Sequence, residues 1–133
     1  MQVRKAELAD LQQIDAFDVF AGDRKPEILR GDIIVAIVNT EVAGYLMHNR
    51  NFYHRPFIWF VCVKESYRRQ GVNKLLFGQV EKLYSQHPLI FTSTEDDNLP
   101  MLNFFEKYGY EPSGIIENIQ KQRELIFVKR LGT

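Results

Sequence analysis

Cysteine is almost absent from this chain, and so are long hydrophobic runs and an excess of either charge. The single cysteine, Cys62, excludes an internal disulfide and a thiolate-rich metal site, so we predict no metal centre. Cys62 lies inside an apolar run with no directly adjacent positive group. We therefore interpret it as a small buried hydrophobe in preference to a reactive thiol.

The charges balance, with 17 Lys and Arg against 17 Asp and Glu. Since no global field attracts nucleic acid or a membrane surface, we expect neither as a partner. The longest apolar runs, residues 33–38 and 57–63, are far shorter than the roughly 18 residues of a transmembrane helix. The N-terminus lacks the apolar core of a signal peptide, so cytoplasmic residence is the default expectation.

The length of 133 residues suits a single folded domain over residues 1–133. Hydrophobic patterning predicts a strand, two helices, three strands, a helix, a strand, a helix and two strands, in that order. The early strands suit antiparallel hairpins, whereas residues 57–93 form a strand–helix–strand unit that requires a parallel crossover. We therefore predict an α/β fold with a mixed sheet of about seven strands and about four flanking helices.

Some local predictions follow from side-chain chemistry. Residues 49–56 are rich in hydrogen-bonding side chains and are predicted to form a loop. The last helix is predicted to start at a cap, Asp97 or Asn98, and to end at Gly109. The two N-terminal helices are predicted to place four apolar side chains inward, namely Phe17, Phe20, Ile28 and Leu29.

The most informative stretch joins the apolar run that ends at Val63 to an amphipathic helix that begins near Val72. It contains Arg68, Arg69 and Gly71. A helix N-terminus presents N–H groups and partial positive charge, arginine adds charge, and glycine lets the backbone approach an anion. The pattern predicts a phosphate-binding junction, with a solvated turn as the plainer alternative.

Two motifs follow one another in the predicted order of elements. After the fourth strand the segment reads Arg68-Arg69-Gln70-Gly71-Val72-Asn73, and downstream Asn98 precedes an aromatic-rich helix with Phe104 and Phe105 that is closed by Gly109 and Tyr110. Both motifs resemble those of the GNAT superfamily of N-acetyltransferases, which use acetyl-coenzyme A (acetyl-CoA). That family has Arg or Gln, two residues, Gly, one residue, then Gly or Ala after its fourth strand, and later Asn and an aromatic-rich helix closed by Gly-Phe. The resemblance covers nearly the whole chain.

The resemblance implies acetyl-CoA as cosubstrate and also where it binds. The backbone at the start of the helix would hold the pyrophosphate, the strand before it would hold the pantetheine arm, and Asn98 would line the slot for that arm. The cofactor-binding residues implied in this way are Val61, Cys62, Val63, Arg68, Arg69, Gln70, Gly71, Val72, Asn73, Lys74, Asn98 and Phe105.

Two residues depart from the family pattern. Asn73 stands where the family prefers Gly or Ala, so its side chain would crowd the pyrophosphate or hydrogen-bond to it. Phe105 stands where many members have the tyrosine that protonates the departing thiolate. Tyr108, on a nearby face of the same helix, and water are the alternatives.

The general base is also open, because residues 57–63 contain no carboxylate, although several family members place one in this strand. Glu95 and His54 are candidates, and for each a solvated surface residue is the plainer interpretation. Of these residues, we take Tyr108 as the candidate acid and Glu95 as the candidate base.

The implied reaction is direct attack by an amine on the thioester in a ternary complex, with a strand N–H near Val61 or Cys62 stabilising the oxyanion. The acceptor is the primary amine of a small molecule or a protein; aminoacyl-tRNA also stays open but is disfavoured by the missing basic excess. The alternatives are a catalytically impaired acyl-CoA-binding module and an interaction protein without a cofactor. Ten Phe and six Tyr are a large aromatic load for the surface of a small protein, and the C-terminal strand pair is a candidate homodimer contact.

Overall fold

The computed structural model describes residues 1–132, which contain seven strands and four α-helices. The strands are β1 (Gln2–Lys5), β2 (Ile33–Val38), β3 (Glu41–Phe52), β4 (Arg55–Val63), β5 (Leu89–Glu95), β6 (Glu111–Ile116) and β7 (Glu124–Arg130). The helices are α1 (Leu11–Phe17), α2 (Lys25–Arg30), α3 (Val72–Leu83) and α4 (Leu99–Lys107). Within residues 1–132, none of these helices has both the length and the hydrophobicity needed to cross a membrane.

The strands form one mixed sheet in the order β1-β2-β3-β4-β5-β7-β6. β4 and β5 pair in parallel, with α3 as the connection between them, while β1–β2, β2–β3, β5–β7 and β6–β7 pair antiparallel. The predicted α/β fold with a mixed sheet of seven strands and four helices is therefore confirmed. The sequence pattern did not predict that β7 would lie between β5 and β6, which leaves β6 at an edge of the sheet.

The described chain divides into two compact units. The first unit comprises Met1–Asn49 and Trp59–Leu83, and the second comprises Arg50–Ile58 and residues 84–132. The core of the first unit includes β2, whose residues 33–36 are all buried, as expected for a β-branched strand covered on both faces. That the chain forms a single domain over residues 1–133 stays a prediction.

Two short helices cover the core of the first unit. Ile14 of α1 and Ile28 of α2 are buried in it. Pro26 lies in the first turn of α2, and Gly31 ends the helix at φ +80°, a conformation that costs glycine little. The prediction that Leu29 points inward is wrong: its side chain is 65% exposed, because the helical turn gives the core position to Ile28. The same prediction is wrong for Phe20, which lies beyond the end of α1 at Phe17 and is 38% exposed.

Residues 49–56 do not form the predicted loop. β3 continues to Phe52 and β4 begins at Arg55, so only Tyr53 and His54 lie between the strands. Both have positive φ, 52° and 63°, the two-residue turn geometry that matches the twist of a β-hairpin. The polar residues that indicated a loop are instead the outer part of a long hairpin.

The second unit has an aromatic core. α4 starts with Asn98 as its N-cap, because Asn98 Oδ1 accepts a hydrogen bond from the Met101 N–H at 3.3 Å, and Gly109 follows the helix at φ +85°. Both ends are as predicted. α4 buries Phe105 completely, with its ring centroid 4.8 Å from that of Phe127. This packing fixes α4 on β7.

Candidate active site

The junction between β4 and α3 has the backbone shape of an anion site. After a 3-10 turn at Glu65–Tyr67, Arg69 and Gly71 both have positive φ, 64° and 83°. The Gly71 carbonyl accepts a hydrogen bond from the Leu75 N–H at 3.0 Å, so α3 starts directly after this glycine. Left-handed residues in a tight turn bring backbone N–H groups into a concave arrangement, and the helix N-terminus adds its own N–H groups.

The junction also has room and charge for a phosphate group. A Cβ added at Gly71 would meet no atom within 4 Å, so the space beside its backbone is open. Arg68, Arg69 and Lys74 are exposed around it. Pyrophosphate carries negative charge and accepts hydrogen bonds from arginine and backbone N–H groups, so these residues fit it.

Side chains fasten the start of this turn. The Tyr67 hydroxyl donates to the Glu41 carboxylate, and Lys64 Nζ lies 3.7 Å from the same carboxylate. The hydrogen bond from Tyr67, helped by the Lys64 charge, lowers the pKa of Glu41 and so favours its ionised form. Gln70 Nε2 donates to the Ser66 carbonyl at 3.2 Å. The turn is therefore held in place before the residues that are predicted to meet phosphate.

Strand alternation decides which backbone groups of β4 a ligand can use. The Lys64 N–H donates to the Ala43 carbonyl at 2.8 Å, so even-numbered residues at this end point their backbone groups toward β3. The backbone groups of Val61 and Val63 then point away from β3, as the predicted pantetheine contacts require. The Val63 carbonyl accepts a 3.3 Å hydrogen bond from Arg68 Nε, so a ligand N–H would compete with Arg68 there.

Three predicted cofactor residues are wholly or partly buried. The Val72 side chain is in the core, which leaves only its backbone for a ligand. The Oδ1 atom of Asn73 is buried, so this side chain does not fill the open space beside Gly71. Cys62 is buried and donates from Sγ to the Phe17 carbonyl at 3.4 Å; its burial raises the pKa of the thiol. The prediction that Cys62 is buried is confirmed, and its contact with the cofactor stays a prediction.

A cleft of about 600 Å³ adjoins the turn within the first unit. The end of α1 gives it an apolar wall and the β4–α3 connection gives it a polar wall. Its lining residues are Ala16, Phe17, Val19, Val63, Lys64, Glu65, Ser66 and Arg68. Because Val63 and Arg68 are also predicted cofactor contacts, the cleft is continuous with the predicted binding residues.

The second unit carries the remaining candidates. Asn98 uses Oδ1 for the helix cap, so its side-chain NH₂ is the group that can donate to a ligand. Phe105 is 0% exposed, between Phe127 and Tyr110, and a ligand would reach its ring only after this cluster rearranged. A ligand contact through Phe105 stays a prediction that its burial does not support.

The candidate acid, Tyr108, and the candidate base, Glu95, are both more accessible to solvent than Phe105. Tyr108 is the C-cap of α4 and is half-buried, with its ring centroid 4.6 Å from that of Phe104. Glu95 is exposed at the end of β5. His54, the other candidate base, is exposed in the hairpin turn. The catalytic roles of Tyr108 and Glu95 stay predictions.

Sequence reasoning missed a buried polar network beside β4. Arg24 is 1% exposed and pairs with Asp18 and Glu27, and the Tyr45 hydroxyl donates to Asp18. The spacing of three residues between Arg24, the N-cap of α2, and Glu27 within that helix was the only signal in the sequence, because tertiary packing brings in the other two residues.

A sequence profile of the acetyltransferase (GNAT) family matches residues 5–110. The chain belongs to this family. The resemblance inferred from the two motifs is thereby confirmed, and the protein is a GNAT N-acetyltransferase that uses acetyl-CoA.

Solved structures agree with the GNAT assignment. A GNAT-family acetyltransferase from Bacillus cereus ATCC 10987 has 27% identity and a TM-score of 0.82, over 97% of this chain and 96% of that one. The ribosomal-protein-S18-alanine N-acetyltransferase from Escherichia coli has 13% identity and a TM-score of 0.81, over 99% and 94%. An acetyltransferase from Bacillus anthracis str. Ames, in complex with acetyl-CoA, has 21% identity and a TM-score of 0.67, over 74% and 61%. At these identities the last two support the fold alone.

Proposed function

We propose that this GNAT protein transfers the acetyl group of acetyl-CoA to the primary amine of a small molecule or a protein, by direct attack in a ternary complex. The observation that carries the proposal is the junction of β4 and α3, with its two left-handed residues, its open space at Gly71 and its exposed cations. Backbone N–H groups from Arg69 to Lys74 hold the pyrophosphate, and the backbone of Val61 and Val63 holds the pantetheine arm.

Acetyl-CoA supplies an activated thioester, and the chain supplies its orientation and a hydrogen-bond donor. Of the two candidate donors, the Val61 N–H points away from β3 whereas the Cys62 N–H points toward it. We therefore assign Val61 to the oxygen on which negative charge develops during attack. A covalent route through Cys62 is disfavoured, because its thiol is buried and hydrogen-bonded to Phe17.

Charge at the junction is tested with variants of two glycines. Gly71→Asp adds a carboxylate beside the phosphate, and Gly71→Asn adds a neutral side chain that tolerates the same positive φ. Gly78→Asp is the matched control, since Gly78 is exposed on α3 with open space around it. By calorimetry we expect Gly71→Asp to weaken acetyl-CoA binding about 10-fold or more, as a like charge within a few ångströms of phosphate should. Equal affinities for the three variants would contradict this placement.

Tyr108 is proposed as the acid for the departing thiolate, with Glu95 as the base for the amine. Tyr108→Phe keeps the ring that packs on Phe104 and removes only the hydroxyl. If Tyr108 is the acid, thiol release should fall about 10²-fold with acetyl-CoA affinity unchanged. Unchanged turnover would assign protonation to water.

The identity of the acceptor amine can be determined by an activity assay. The Escherichia coli enzyme acts on alanine of a ribosomal protein by its name, but its 13% identity supports the fold alone. Thiol release should therefore be measured over a panel of small amines and peptide N-termini. The second candidate function, an acyl-CoA-binding module, is favoured by the lack of a hydroxyl at Phe105 and of a carboxylate in residues 57–63. Binding without turnover on any amine would support that module.

A homodimer contact is proposed at β6. All six residues of this edge strand are exposed, including Ile115 and Ile116, and an unpaired edge with apolar side chains can pair with a second copy. Light scattering should show a dimer that Ile115→Lys dissociates. A monomeric wild-type chain would contradict this contact.

A further inference from the structure

A buried polar network ties the segment between α1 and α2 to the sheet of the first unit. Arg24 Nε donates to Asp18 Oδ2 at 3.0 Å, and its Nη1 donates to Glu27 Oε2 at 2.7 Å. Arg24 Nη2 donates to the Ala21 carbonyl at 2.8 Å. From β3, the Tyr45 hydroxyl donates to Asp18 Oδ1 at 2.7 Å. The guanidinium and the Asp18 carboxylate are therefore matched by partners and removed from water.

The segment between α1 and α2 also contacts β4. The guanidinium carbon of Arg24 lies 4.8 Å from the centroid of the Phe60 ring, which is a cation–π distance. The Phe20 ring packs on that ring with centroids 4.7 Å apart, and Cys62 Sγ donates to the Phe17 carbonyl. Two successive residues on one face of β4, Phe60 and Cys62, are thus held by residues 17–24.

Val61 lies between the two held residues, and Val63 follows them. Because side chains alternate along a strand, fixing Phe60 and Cys62 also fixes the peptide planes on both sides of Val61. β3 packs closely against this part of the β4 backbone. A Cβ added at Gly44 of β3 would lie only 3.0 Å from the Cys62 carbonyl oxygen and 3.3 Å from Val63 Cα. The backbone at Val61 and Val63 therefore has little freedom to move.

Stability does not by itself account for such a network. Desolvation of an arginine and two carboxylates costs free energy that offsets much of their attraction, and an apolar cluster of the same shape is often as stable. Orientation is what the planar guanidinium adds, because its fork fixes the carboxylates that it meets. We infer that Arg24 and Tyr45 are positioning residues, which hold the backbone of Val61 and Val63 in the conformation that binds the pantetheine arm. The inference rests on the proposed function and extends it to residues outside the binding set.

Two ligands separate positioning from general stability. Acetyl-CoA uses both the phosphate junction and β4, whereas 3′-phosphoadenosine 5′-diphosphate keeps the pyrophosphate for the junction but has no pantetheine arm. Arg24→Lys keeps the charge but loses the planar fork, and Tyr45→Phe keeps the ring but loses the hydrogen bond to Asp18. By calorimetry we expect each variant to raise the Kd of acetyl-CoA about 10-fold, which corresponds to the loss of one or two hydrogen bonds, and to raise the Kd of the arm-free diphosphate less than about 2-fold.

Arg4→Lys is the matched control. Arg4 makes a two-pronged ion pair with Asp10, at 2.8 and 2.9 Å, in the same unit but between β1 and the start of α1. We expect it to lower the Tm, as Arg24→Lys does, and to change neither Kd. All affinities are measured well below the Tm of each variant.

The inference is overturned by unchanged acetyl-CoA affinity in folded Tyr45→Phe, or by an equal loss in Arg4→Lys. If Arg24→Lys does not fold, Tyr45→Phe decides. A wild-type chain that does not bind acetyl-CoA would instead contradict the proposed function. In that event the amide NMR signals of Val61 and Val63 decide: shifted signals in Tyr45→Phe support positioning, and unchanged signals overturn it.

Discussion

The two compact units bury different chemistry. The polar side chains buried in the first unit are ionisable, namely Asp10, Arg24 and His48. Those buried in the second are the hydroxyls of Thr92 and Thr94, and Thr92 Oγ1 donates to the Ile58 carbonyl at 3.1 Å. Aromatic rings fill much of the space around α4. The stability of the first unit should therefore depend on charge and pH, and that of the second on packed volume.

The largest expected effect is the loss of an aromatic ring from the second unit. Phe105→Ala removes a fully buried ring that contacts Phe127 and Tyr110, so the free energy of unfolding should fall by about 4 kcal/mol. Urea denaturation measures it, and the loss should be the same at every pH from 5 to 8. Leu99→Ala, on the exposed side of the same helix, should cost less than about 0.5 kcal/mol. A loss that varies with pH would break the contrast between the units.

The second-largest expected effect on stability comes from removing the buried cation of the first unit. Arg24→Met leaves the Asp18 and Glu27 carboxylates without their counter-charge, and the free energy of unfolding should fall by about 3 kcal/mol. The triple variant with Asp18→Asn and Glu27→Gln should recover most of it, since no charge is then left unpaired. If the triple variant is no more stable than Arg24→Met, lost packing on Phe60 is the cause, and the first unit behaves like the second.

The same contrast limits what a sequence can predict. Features that depend on neighbours in the chain were predictable: the buried strand β2, the Asn98 cap, the Gly109 stop and the turn before α3. Features that depend on residues far apart were not. Asp18 meets Tyr45 across 27 positions, and no periodicity encodes that pairing. The hairpin through Tyr53 was missed for a second reason, because a solvated strand and a loop share polar composition.

The position of β7 between β5 and β6 has the same origin. A hairpin of two strands can add to a sheet by either strand, and local pattern gives both the same signal. β7 carries buried Ile126 and Phe127, whereas all of β6 is exposed. The more apolar strand, β7, therefore lies on the inner side of the pair. This position depends on how apolar the two strands are relative to each other, and the pattern of side chains within one strand does not report that difference.

The smallest expected effect is a pH dependence that belongs to the first unit. His48 on β3 is buried, and desolvation lowers the pKa of its imidazole from 6.5; Lys5 lowers it further, and Asp32 opposes the shift. Below pH 6.5 the unfolded chain therefore binds a proton that the folded chain does not. The contribution of neutral His48 to the free energy of unfolding is therefore fully present above pH 6.5. The free energy of unfolding falls as the pH drops from 6.5 toward the folded pKa of His48, by at most about 1.4 kcal/mol per pH unit.

His48→Gln should flatten this slope between pH 6.5 and 5, measured by urea denaturation at a series of pH values. His54→Gln, in the exposed hairpin turn, is the matched control and should leave the slope as it is. Asp10 does not interfere, because the hydrogen bond from Arg4 lowers the pKa of its carboxyl from 3.8, and its contribution is lost only as the pH falls below that value. A slope that survives in His48→Gln would move the pH sensitivity away from the buried imidazole, and the two cores would then differ in packing alone.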